Sequence, residues 1–136
     1  MPAPAAFDYA LVRIVPCVER GEFLNVGVIL FCRTRRFLGA RIELDEARVR
    51  ALWPAADLDE IRAHLEAIPR VCAGGPGAGP IGRLPLHERF HWLVAPRSTV
   101  IQTSPVHSGL CLDPAATLEH LMDRTVRSPG SSAAPA

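Results

Sequence analysis

The segment Ala95 to Cys111, APRSTVIQTSPVHSGLC, carries Arg97, Ser98, Thr99, Gln102, Thr103, Ser104, His107 and Ser108, all able to donate or accept hydrogen bonds. Their types suit chemistry: His107 as a general base, Ser104 or Ser108 as a nucleophile, Arg97 as a stabiliser of an anion. An earlier stretch, ERGEFLN at 19–25, supplies two acids, Glu19 and Glu22, beside Arg20 and Asn25. Together they allow a small enzyme acting on a phosphate or acyl substrate, with His107 as general base and Glu19 or Glu22 as its acidic partner. No G-x-S-x-G elbow supports a serine nucleophile, and no acid/base pair stands at short spacing. The same groups also suit hydrogen bonding along a sheet edge, with a Glu–Arg pair ordering the 19–25 loop. A binding surface is therefore expected first and catalysis second. Its residues are Glu19, Arg20, Glu22, Asn25, Arg89, Arg97, Ser98, Gln102, Ser104 and His107, gathered at one end of the sheet, with Arg20, Arg89 and Arg97 as the cations for a protein partner or a small anionic ligand. A contact between Arg97 and at least one of Glu19 and Glu22, at salt-bridge or one-water distance, would join the two stretches.

Other patterns are weaker. Gly77-Ala78-Gly79-Pro80-Ile81-Gly82 fits G-x-G-x-x-G by letter, but it follows no strand and holds a proline, so it reads as a surface loop. The turn Arg33-Thr34-Arg35-Arg36 matches phosphate in charge and equally suits a solvated hairpin tip. No H-E-x-x-H helix and no D-x-[DN] calcium loop occurs, and neither a metal nor another cofactor is expected. Cys17, Cys32, Cys72 and Cys111 form no C-x-x-C pair, which argues against structural zinc. If Cys17 lies near a hairpin turn and Cys32 at its far end, about 3.3 Å per residue puts them more than roughly 10 Å apart, too far for a disulfide. Reduced, mostly buried thiols are expected.

Composition bounds the class. The 136 residues suit one domain, and 49% hydrophobic with 21% charged residues is the balance of a globular protein. All 15 cationic side chains are arginines, so Schiff-base chemistry through lysine is excluded. The formal net charge of +1 supplies no general field for nucleic acid, which is not an expected partner. No apolar run reaches membrane-spanning length, and the opening MPAPAAFDYA has neither the basic nor the apolar region of a signal peptide. A cytoplasmic location is expected by default.

These side chains need elements to hold them. FDYALVRIVPC alternates as a strand, NVGVILFCR is an apolar run of strand length, and RFLGARIEL reads as a third strand after the basic turn. Asp45 caps a short helix ended by Pro54, and Asp57 with Glu60 has capping-box spacing ahead of Ile61, Leu65 and Ile68. PLHERFHWLVA suits a helix through Phe90, Leu93 and Val94 or a strand through Phe90, Trp92 and Val94, with helix preferred. STVIQTS and VHSGLCL are strand segments interrupted by Pro105, which marks a bulge or an edge. Asp113-Pro114 opens a closing helix with Leu118, Leu121, Met122 and Val126 inward. The order predicts a two-layer α+β domain. An antiparallel sheet, a three-strand meander plus later strands, would be packed on one side by helices. Residues 7–127 form the domain, between disordered ends at 1–6 and 128–136.

Three blocks, ERGEFLNVGVILFC (19–32), GPIGRLPLHERFHWL (79–93) and PRSTVIQTSPVHSGLC (96–111), resemble in this order a bacterial family known as domain of unknown function 3037. The likeness runs over roughly residues 7 to 126. It implies no activity and no catalytic residues to carry over. It does imply a small stand-alone protein, often encoded beside HipA-like kinases, and hence an accessory or regulator of such a kinase rather than a kinase.

Overall fold

A computed structural model of the chain describes residues 3–97 and 99–127. The meander forms first. Strand β1 (Ala5–Ile14) pairs antiparallel with β2 (Leu24–Cys32), which pairs antiparallel with β3 (Phe37–Ile42). Within the expected neighbours 8–16 and 25–33, the register pairs Asp8–Ile14 with Leu24–Phe31. On the other side β1 carries two short strands in line, β4 (Ile101–Thr103) against Val12–Ile14 and β5 (His107–Cys111) against Ala5–Tyr9. They are one edge strand broken at Ser104-Pro105-Val106, where the proline has no N–H for the ladder. The sheet order is β3-β2-β1 with β4 and β5 sharing the last edge.

One bulge decides which residues face which side. The register between β1 and β2 slips after Val12, so that Val12 faces Gly27 while Arg13 faces Asn25, leaving Val26 as the extra residue. Val28, Leu30 and Cys32 therefore point to one face, while Ile29 and Phe31, together with Leu24 and Val26, point to the other. Gly27 lies in the tight part of this region: a Cβ there would stand 2.6 Å from the Arg41 carbonyl oxygen of β3.

The helices begin where their caps predict. Asp45 accepts from the Arg48 amide to start α1 (Glu46–Leu52), and Asp57 accepts from the Glu60 amide to start α2 (Leu58–Ala73). Residues 84–95 resolve as helix α3 (Leu86–Val94), and Asp113 caps α4 (Pro114–Thr125) with proline in its first turn. Phe90 is fully buried and stacks on Phe31 of β2 at 5.4 Å between centroids, which fixes α3 to the sheet. A buried phenyl of this kind stabilises by about 1.5–3 kcal/mol. Residues 76–83 run as tight 3-10 turns over the end of α2.

The α+β class with an antiparallel sheet stands as read, but helices cover both faces, where one covered face was expected. Val12, Ile14, Ile29 and Phe31 share a core with Leu65 of α2 and Phe90 of α3, while Val28, Leu30 and Cys32 pack against Leu118 and Met122 of α4. Two-sided burial explains why NVGVILFCR is apolar throughout rather than alternating. Strand β1 starts at Ala5, which is buried, so the first strand enters the segment read as a disordered end. Residues 128–136 lie outside the described residues. No helix among the described residues is long and apolar enough to cross a membrane.

Candidate functional site

Residues 99–103 sit at the same end of the sheet as the β1–β2 connection, because Val15 donates to the Val100 carbonyl at 2.7 Å and Ile14 pairs with Ile101. Arg97 nevertheless reaches no residue of that connection. Its Nη1 and Nη2 donate to the carbonyls of Leu93 at 3.1 Å and Trp92 at 2.8 Å, and the guanidinium lies 4.7 Å from the Trp92 ring centroid. Those carbonyls belong to the last turn of α3, which has no further helical N–H to offer them. The exposed Arg97 is therefore a fixed cation at a helix C-terminus. Glu22 pairs with Arg20 within its own loop, and among the described residues no direct ion pair joins Arg97 to Glu19 or Glu22.

The other expected site residues that are described distribute over four places. Asn25 Oδ1 accepts from Arg13 Nε at 3.3 Å, its Nδ2 donates to the Thr125 carbonyl at 3.2 Å, and Gln102 lies opposite Arg13 in the register. With Phe23 under the Arg13 guanidinium at 3.9 Å, these make a polar row on the α4 side of the sheet, away from Arg97. His107 is exposed on β5 and rests 5.3 Å from the Tyr9 ring. From Tyr9 to Ile14, five steps of about 3.3 Å put roughly 16 Å between His107 and the loop holding Glu19 and Glu22. The structure does not bring the candidate base and acids together. Arg89 points inward, donating to the carbonyls of Leu84, Val71 and Cys72 at 2.8–2.9 Å, and so closes the end of α2 rather than offering a cation to a ligand. Ser104 is buried and hydrogen-bonded to the main chain at the strand break. Ser98 lies outside the described residues.

What the fold builds around Arg97 is a groove of about 470 Å³. Its apolar lining includes Ile61, Ile68, Leu93, Val100 and Ile101, together with Trp53 and Trp92. These are the two tryptophans of the chain. Arg97 and Thr99, which follow α3, also line it, as do Asp57, Glu60 and His64 at the start of α2. Glu60 approaches His64 at 3.8 Å, and the Asp57 carboxylate accepts from the Glu60 amide. An apolar cleft of this size with a few polar groups on its rim is the usual form of a recognition site. Trp92 is 43% exposed, a large aromatic side chain left on the surface.

A family model described as Protein of unknown function (DUF3037) matches residues 9–126. The chain belongs to this family. No curated protein and no solved structure matches the chain. The matched span runs from β1 through α4, so it covers the groove and every described residue expected in the site.

The sequence reading found Arg97 but missed the groove. By sequence Trp53 shares one face of the short helix with Val49 and Leu52, and Trp92 falls in a segment whose period is ambiguous. One signal was present: in α3 the buried stripe runs through Phe90 and Leu93, and Trp92 stands off it. A large aromatic outside the apolar stripe of a short helix marks an unfilled surface.

Proposed function

We propose that this protein is a non-catalytic accessory protein that binds a partner protein through the groove beside Arg97. The observation that carries the reading is the pairing of an exposed Trp92 with a guanidinium already held in place over it, at the mouth of an apolar cleft. Tryptophan and arginine are the side chains that most often dominate the energy of an interface. The separation of His107 from Glu19 and Glu22 favours this reading over acid/base catalysis by those three residues. The resemblance to the family makes a HipA-like kinase the first partner to test.

Ala67 is exposed and lines the groove, so Ala67→Arg fills the cleft without removing a core contact. Tagged wild type and Ala67→Arg are each used to pull partners from the native organism, and mass spectrometry compares the two. The reading expects a HipA-like kinase retained by wild type and depleted at least about tenfold by the variant. Equal recovery with both baits would overturn it.

A further inference from the structure

From the opposite charges that line the groove we infer that its occupant is a peptide segment of the partner, with an apolar anchor residue flanked by an acidic residue on one side and a basic residue on the other. This inference rests on the docking reading above and adds the chemistry of what docks. Arg97 lines the groove from the chain that follows α3, and Asp57 and Glu60 line it from the start of α2. Neither carboxylate forms an ion pair with Arg97, because the guanidinium is turned onto the Leu93 and Trp92 carbonyls and Glu60 is turned to His64. The groove thus carries opposite charges on two elements, unpaired with each other, beside an apolar lining.

That arrangement discriminates among occupants. A purely apolar segment would cover both sets of charges and strip water from them without replacing it. A segment carrying one sign of charge would satisfy one set and be repelled by the other. A segment with an acid towards Arg97, a base towards Asp57 and Glu60, and an aromatic or branched apolar residue between them satisfies both sets and covers the apolar lining. The fixed guanidinium adds to this, since it loses little freedom when the acid arrives.

The test is selection from a display library of random peptides of about twelve residues, panned against folded wild type, Trp92→Ala, Ala67→Arg, Arg97→Glu and Glu60→Arg. Each variant is first shown to be folded by its thermal melt. Peptides enriched on wild type and lost on both Trp92→Ala and Ala67→Arg are expected to carry the acid–apolar–base pattern. Arg97→Glu should select a base where wild type selects an acid, and Glu60→Arg should select an acid where wild type selects a base. Each swap should weaken a wild-type peptide by about tenfold or more. Groove-dependent peptides that lack the two-sign pattern, or that ignore both charge swaps, would overturn this inference and leave the docking reading standing. Absence of any peptide that depends on Trp92 and on an open groove would overturn both.

Discussion

Ser104 and Leu11 form a two-bond ring in which a side chain replaces the main chain: the Ser104 amide donates to the Leu11 carbonyl at 2.9 Å, and the Leu11 amide donates to Ser104 Oγ at 2.8 Å. In a regular antiparallel pair the second acceptor would be the Ser104 carbonyl. The Ser104 hydroxyl then passes its own proton to the Pro105 carbonyl at 2.8 Å. The hydroxyl keeps β1 satisfied across the break between β4 and β5. Ser104→Ala should therefore lower stability by about 1–3 kcal/mol, because it leaves a buried amide without an acceptor. Ser108→Ala, at an exposed position, should shift stability by no more than about 0.5 kcal/mol. Urea melts of the two variants check this, and equal midpoints would refute it.

Arg89 is a structural tie. Its bonds satisfy the Val71 and Cys72 carbonyls at the end of α2 and fasten the Leu84 carbonyl that leads into α3. Gly74 passes beside it with φ +76°, and a Cβ there would lie 2.8 Å from Arg89 Nη1. Arg89→Ala should cost about 2–3 kcal/mol, and Arg89→Lys should recover only part of that, since an ammonium cannot span three carbonyls as a planar fork does. Denaturant midpoints measure both, and an Ala variant as stable as wild type would show that the tie carries no weight.

Arg97 is expected to behave in the opposite way. It is exposed, and its contacts with the end of α3 and with Trp92 are of the kind that contribute about 0.5–1 kcal/mol each at a surface. Arg97→Ala should melt close to wild type while the partner is lost from the pull-down. A large fall in melting temperature would recast Arg97 as structural.

The thiols should separate sharply by reactivity. Cys17 is exposed, whereas Cys32, Cys72 and Cys111 are buried. Burial pushes the Cys72 thiol up to about 12, with Arg89 pulling weakly the other way. Burial likewise raises the Cys111 thiol, reinforced by its neighbour Cys32. Thiolate is the reactive form, so an aromatic disulfide reagent at about pH 8 should label one thiol of the native chain quickly. Cys17→Ser should remove that fast phase, and all four thiols should react in denaturant. Two fast thiols in the native chain would contradict this burial.

Acid should weaken the attachment of α4 to the sheet. Hydrogen bonds first from Arg41 and then from Arg127 hold the Glu119 carboxyl below its usual range. A carboxyl depressed on folding contributes stability above its ordinary pKa of about 4.3 and loses it as pH falls through the folded value. Glu119 is 42% exposed, so solvent screening limits the gain to about 0.5–1 kcal/mol. Glu119→Gln should be less stable than wild type by that amount at about pH 7, and the gap should close towards about pH 3. A gap that stays constant with pH would show that the charge is not the cause.

The sequence by itself determined the parts governed by neighbours along the chain. Alternation over Tyr9–Ile14 and the unbroken run over Val26–Cys32 specified adjacent strands, and the side chains of Asp45, Asp57 and Asp113 placed three helix starts within one residue. Pro105 marked the break in the edge strand because its missing N–H is a local property. The site was different, since its geometry depends on segments far apart in the chain. The pairing of residues 101–111 with β1 turned Ser104 into a substitute main-chain acceptor and left His107 distant from Glu19 and Glu22. The bulge at Val26 and the parity of β1 sent Asn25 and Gln102 to the face opposite Arg97. Trp53 and Trp92 line one groove only because α1, α2 and α3 pack on the same face of the sheet. Periodicity tells which side of an element is apolar, but not whether a neighbouring element covers that side completely, and the uncovered part is where this protein has its groove.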